Sequence, residues 1–413
     1  MTVSRREFVS AVPSAALLAG LRSVEPAGDD PLGVRKDFPA LRDLTFLNTA
    51  YIGLISQAVV DAGRDWLESR ASRTYVVPQL LEKTDETRKL FARLIGAGDD
   101  EIGFLYATSE GENVVVNSLE WKSGDNVVVN DLVYPTTPVI LRRLEEERGV
   151  ELRMAKHRKG ATTLEDFAEL VDDRTRLVSV ALVSNISGYR HDMKGLAEIA
   201  HAHGAYLYAD AVQAVGMGPL DVKALDIDFL TTGSYKWLGA GMGVAPFYVR
   251  RELLDRIHPA NVGWQVEKRL EGYQYQHYRT AKKFEYASLA FGEIYQLAAA
   301  LAYLQGVGLD RIEAQSLPLV ERLRKGLVAR GFRILTPYGT RSSIVSFYIR
   351  EESAAAEKIL EAARIKVSLQ NGDRTEAYGG TGPVTRVRVS LSFFNNAGDV
   401  DRFLDVSEKL GAS

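Results

Sequence analysis

The chain has 413 residues, of which 46% are hydrophobic and 25% charged; that is enough apolar material for one large cored domain and a smaller one. A formal net charge of -3, with no long basic run, gives no general electrostatic reason to bind nucleic acid or an anionic membrane surface. The absence of cysteine excludes disulfides, thiolate metal sites, iron–sulfur clusters and a cysteine nucleophile, and six scattered histidines offer no metal site.

Residues 1–30 differ from the rest. Ser4-Arg5-Arg6-Glu7-Phe8 precedes a small apolar run from Val9 to Leu21 and then the acidic Glu25-Pro26-Ala27-Gly28-Asp29-Asp30. This resembles a twin-arginine export signal and implies a periplasmic destination; a cytoplasmic amphipathic helix with a chance arginine pair is the alternative, since no clean A-x-A site follows. No other stretch has about 18 consecutive apolar residues, so a membrane-spanning body is not expected.

Beyond the leader, short apolar runs alternate with helical patterns, the signature of an α/β chain with a mostly parallel sheet. Leu90, Phe91, Leu94 and Ile95 form a helical stripe ending at Gly96, and strands follow at 102–106 and 126–130. Helices over 137–148 and 163–171 separate these from a strand at 177–183; a helix at 192–203, stopped by Gly204, leads into a strand at 205–210. Strands of this kind set their carboxyl ends along one edge, where open α/β sheets bind ligands, and Asn185, Asp210 and Lys236 all fall just beyond such ends. An apolar helix at 291–304 connects to an α+β unit read as helix 310–330, strand 342–349, helix 353–364, strand 386–392 and helix 397–410. The expected division is 31–290 for the large domain, with 31–60 packing on the small one, and 291–413 for the linking helix and small domain.

Three segments carry chemistry. In Gly233-Ser234-Tyr235-Lys236-Trp237 a lysine follows an apolar strand among hydroxyl and aromatic residues, a setting for a partly desolvated amine that forms a Schiff base; a solvated loop lysine fits the same context. Asp210, in Ala209-Asp210-Ala211-Val212-Gln213, ends a buried strand and needs a cationic partner, for which a pyridinium nitrogen serves; capping the next helix is the bland alternative. Thr108 and Ser109, in Ala107-Thr108-Ser109-Glu110-Gly111-Glu112-Asn113, join a strand to a helix read as beginning near Val114, whose free N–H groups make an anion site, or simply cap it. Two features are decoys. Gly239-Ala240-Gly241-Met242-Gly243 precedes a strand, the reverse of a dinucleotide loop, and His201 and His203 end a helix, where its last carbonyls or solvent would receive them.

In order and spacing these segments, with Ser184-Asn185, resemble the class V aminotransferase family, over roughly residues 40–410. The resemblance implies the type I pyridoxal-phosphate fold: a mostly parallel seven-stranded sheet with flanking helices plus a smaller α+β C-terminal domain. It implies pyridoxal 5'-phosphate as cofactor, Lys236 as its internal aldimine and later proton carrier, and Asp210 on the pyridine nitrogen. Gln213 and Asn185 would meet the phenolic oxygen; Thr108 and Ser109, with Ser234 or Tyr235, would meet the phosphate; Tyr134 would stack on the ring, and Val212 would line the site. Ser288 matches a position that serves the phosphate of a partner subunit, implying a homodimer with composite sites, although Tyr286-Ala287-Ser288 departs from the usual Gly-Thr-Pro. Arg388, better placed than Arg386 on the same strand face, would bind the substrate α-carboxylate. Aminotransferase or C–S/β-elimination lyase chemistry is expected on a small amino-acid-like substrate, with an epimerase or a non-catalytic binding protein as alternatives. A usual cysteine desulfurase, which carries sulfur on its own cysteine, is not.

Overall fold

The structure is a computed structural model describing residues 30–372 and 384–412; the leader read at 1–30, save Asp30, lies outside the described residues. Helices α1 (Gln57–Ser72) and α2 (Val77–Leu94) precede β1 (Ile102–Leu105), α3 (Thr108–Ser118), β2 (Asn126–Asn130), α4 (Thr136–Arg148) and β3 (Glu151–Ala155). The chain continues through α5 (Leu164–Ala168), β4 (Thr175–Ala181), α6 (Met193–Ala202), β5 (Tyr206–Asp210), β6 (Phe229–Thr231) and β7 (Ala245–Val249). These strands form one seven-stranded sheet in the order β1-β7-β6-β5-β4-β2-β3. Side chains alternate across it: Val128, Val178 and Leu207 enter the core shared with α2, α6 and the later helix α7 (Phe291–Val307), whereas Val127, Leu177 and Tyr208 enter the core shared with α3 and α4.

All strands run parallel except β7, which is antiparallel to both β1 and β6. Parallel neighbours require a helical crossover, but β6 and β7 are joined by residues 232–244 alone, so the chain turns back on itself. That reversal brings the start of β7 to the edge where the parallel strands end, and it hangs the loop bearing Lys236 over this edge.

After α7 come α8 (Leu309–Ala329), β8 (Arg333–Ile334), β9 (Ile344–Ile349), α9 (Ser353–Ala362), β10 (Ser368–Gly372), β11 (Val384–Ser390) and α10 (Ala397–Ser407). The four strands form an antiparallel sheet, β8-β9-β11-β10, with its own core of Leu323, Phe347, Val387, Val389 and Phe403. An amino-terminal strap ties this sheet to the large one: Thr45–Phe46 pairs with Ile365–Lys366, Leu47 enters the second core, and Ala50 N–H donates to Ser390 Oγ at 2.9 Å.

Helix α1 and strands β3, β8 and β10 had no counterpart in the sequence reading, and the helix expected at 163–171 shortens to α5. His201 and His203 do not turn to helix carbonyls. Their rings pair with Asp228 and Asp173, each at 2.7 Å, because a nearby carboxylate outcompetes a carbonyl for a ring N–H. No helix among the described residues is long and apolar enough to cross a membrane, and no cluster of metal-ligating side chains occurs among them.

Candidate active site

A cavity of about 410 Å³ opens at the carboxyl ends of β4, β5 and β6, walled by the N-terminus of α3 and by the 232–244 loop. Its lining brings together Thr108, Ser109, Tyr134, Asn185, Asp210 and Lys236, six positions scattered over the sequence; Val212, Gln213 and Tyr235 join them. Lys236 is only 8% exposed, and its amine makes no hydrogen bond or ion pair with any described residue. It lies 6.0 Å from the centre of the Tyr134 ring and 5.6 Å from that of Tyr235. Burial pushes this amine down to about 8, and Arg388 adds to the fall while Asp210 opposes it. Such an amine is a far better nucleophile near neutrality than a solvated lysine.

Asp210 ends β5 in register with Ala181 and Thr231. One carboxylate oxygen accepts from Val212 N–H at 3.0 Å; the other accepts from no described residue. Burial raises its carboxyl, against the pull of that N–H and of Lys236. Ionisation is therefore stabilised by any cation that enters the cavity. Asn185 Oδ1 is enclosed and unpartnered.

The helix read as beginning near Val114 starts earlier, and Thr108 and Ser109 are the first two residues of α3, so their hydroxyls stand beside unpaired N–H groups at the positive end of the helix. The closeness of α3 to β6 depends on Gly111, where a Cβ would meet Thr231 Oγ1 at 2.1 Å. Gly111→Ala is expected to cost about 1–3 kcal/mol by overpacking and to weaken binding of inorganic phosphate as the helix start shifts; thermal unfolding and phosphate titration check both.

Not every expected residue reaches the cavity. Ser234 is fully buried, and its hydroxyl donates to the carbonyls of Val244 (2.8 Å) and Gly241, leaving Tyr235 as the member of that pair on the wall. Gln213 lines the cavity, but its Oε1 accepts from Trp237 Nε1 at 2.7 Å and its Nε2 donates to Ala50 O at 2.9 Å, so one N–H remains for any ligand. Ser288 is exposed outside this cavity; its carbonyl accepts from the Tyr106 hydroxyl at 2.6 Å. The segment leading to it is anchored on alternate residues, Glu285 pairing with Arg88 at 2.6 Å and Lys283 donating to the carbonyls of Leu254 and Ile257. Arg388 sits just beyond the wall, 3% exposed, donating to the Asn185 carbonyl at 3.0 Å.

Glu112 was missed. It lines the cavity at 4% exposure, accepting from Thr137 Oγ1 and Ser179 Oγ, each at 2.7 Å. Burial raises its carboxyl to about 7; the two hydroxyls oppose this and Asp210 adds to it. The available signal was its helical face, shared with the buried Val115 and Val116.

The profile of the family described as Aminotransferase class-V matches residues 54–403. The chain belongs to that family. A probable cysteine desulfurase of Pyrococcus abyssi is 29% identical over 401 residues, covering 92% of this chain and 97% of the relative. An uncharacterized aminotransferase of Bacillus subtilis, YcbU, is 31% identical over 68% of this chain and 75% of its own. The apo structure of a cysteine desulfurase from Thermococcus onnurineus superposes with a TM-score of 0.84 at 27% identity, covering 93% of this chain and 99% of that one. As a class V member the protein has the type I fold and is a pyridoxal-phosphate enzyme of the aminotransferase or C–S lyase type. The cavity fits that cofactor: an unpaired amine, a carboxylate with a free oxygen, an orphaned amide oxygen and a helix N-terminus face one space.

Proposed function

We propose that the enzyme acts on a small amino acid, removing its amino group or cleaving its Cβ–S bond, and that it does not store sulfur on itself. The observation carrying this reading is the Lys236 amine, unpaired in the cavity, depressed to about 8 and facing the Asp210 carboxylate. Pyridoxal phosphate, when bound, supplies an electron sink for the bonds at the substrate Cα. Lys236 would hold the cofactor covalently and, once displaced by the substrate amine, carry protons at Nζ as base and acid. Asp210 would pair with the ring nitrogen, keeping it protonated; Asn185 and the remaining N–H of Gln213 would meet the phenolic oxygen. Thr108, Ser109 and Tyr235 would hold the phosphate, Tyr134 would cover the ring, Val212 would pack beside it, and Arg388 would hold the substrate α-carboxylate bidentately.

The relatives named cysteine desulfurase invite that assignment, but this chain has no cysteine to accept a persulfide. Sulfur released here would leave as a small molecule. Incubating the holoenzyme with amino acids and sulfur conjugates, while following keto acid, pyruvate and sulfide, separates the reactions; a panel that yields none of these products overturns the reading.

We also propose a homodimer in which Ser288 completes the partner's phosphate site, a division into domains at about residue 290, and export in folded form through the twin-arginine leader. Mixing Lys236→Ala and Ser288→Ala subunits tests the composite site. The mixed dimer should regain one site of wild-type cofactor affinity, whereas chains that each serve their own site would show no rescue.

A further inference from the structure

Strand β11 sends Val387 and Val389 into the second core and therefore turns Arg386, Arg388 and Ser390 to the opposite face, on which Arg388 reaches the carbonyl of Asn185, a residue of the cavity that holds Lys236. Two guanidiniums thus stand side by side, with Cα atoms two residues apart, about 6.6 Å along a strand. Arg388 donates to the Asn185 carbonyl, and Arg386 to Oε1 of Gln370, its cross-strand neighbour on β10. Among the described residues neither makes an ion pair with a carboxylate, and the Nε of each is enclosed without a partner. Burial lowers both guanidiniums, and the repulsion of Arg386 adds to the fall at Arg388.

Placing two neighbouring cations, Arg388 buried and Arg386 half-buried, against neutral acceptors alone is unfavourable, and a binding site is where such a cost is recovered. One α-carboxylate saturates one guanidinium by bidentate pairing and leaves the second uncompensated. We propose that Arg386, with Gln370, receives a second acidic group, so that the site selects amino acids whose side chains carry a carboxylate or a sulfur oxyacid. The inference rests on the reading of Arg388 as the α-carboxylate anchor. The pleat spacing suits a short chain with acids at both ends, and Arg386, one step farther from Asn185 along the strand, takes the distal one.

Succinate and butyrate, which share four carbons and differ by one carboxylate, are the probes. Titration calorimetry of the holoenzyme should give succinate at least tenfold tighter than butyrate; Arg386→Met should remove that difference without weakening butyrate, and Arg386→Lys should restore part of it. Arg388→Met should weaken both ligands. Succinate and butyrate binding alike to the wild-type enzyme, or an unchanged ratio in Arg386→Met, overturns the second acid site. If Arg388→Met leaves both affinities unchanged, it is the anchor reading that fails, whatever the ratio.

Discussion

Lys236→Ala is expected to purify without the colour of the wild-type holoenzyme, to gain no cofactor mass after borohydride treatment, and to lose activity by at least ~10³-fold, since the proposed function gives one group the roles of covalent holder and proton carrier. The sequence holds other lysines, and one of them, Lys283, is also held down to about 8 by burial. Lys283, however, spends its amine on the carbonyls of Leu254 and Ile257, whereas Lys236 spends none. In the wild-type apoprotein the rate of cofactor capture should climb as the pH is raised through about 8, where the neutral amine becomes the major form. A Lys236→Ala protein that still binds cofactor in a borohydride-reducible link would place the attachment elsewhere.

Glu112→Gln should change how stability responds to pH. The folded-state value of Glu112 lies at about 7, above its ordinary value of 4.5, so between these the folded protein binds more protons than the unfolded chain. Stability from this group is fully present below about 4.5 and is lost as pH rises through 7, by ~3 kcal/mol. Glutamine cannot ionise, yet it can still accept from one of the Thr137 and Ser179 hydroxyls and donate to the other. Urea unfolding at pH 4.5 and pH 8 should therefore show the variant gaining ~3 kcal/mol on the wild type across the interval. A difference that stays constant with pH would mean that burial does not raise the Glu112 carboxyl above its ordinary value.

That Lys236, Asp210 and the Thr108–Ser109 pair meet at one cavity was legible because all lie just past strand ends, and strand ends announce themselves as apolar runs stopped by small or polar residues. The reversal of β7 was not legible, since a buried strand reads the same in either direction and only the missing crossover helix betrays it. Glu112 was hidden because a glutamate in a helical pattern ordinarily faces water, and the two hydroxyls that receive it come from β4 and α4. Ser234 was misplaced for a related reason. Adjacent loop residues point in different directions, and which of Ser234 and Tyr235 meets the cavity depends on the carbonyls of Gly241 and Val244 farther along the loop.

The strap near the amino terminus links parts of the molecule that the sheets keep apart. Its Ala50 hangs on Ser390, two residues from Arg388, and receives Gln213 on its carbonyl; Gly53 then donates to Tyr235 O at 2.9 Å, so close to the lysine that a Cβ there would stand 2.0 Å from the Lys236 carbonyl oxygen. The strap acts as a tie-rod between the strand that carries Arg386 and Arg388 and the loop that carries Lys236. A displacement of one end is delivered to the other through a few residues of hydrogen-bonded backbone, so the spacing between Arg388 and Lys236 is set as a single length rather than as the sum of two independent positions.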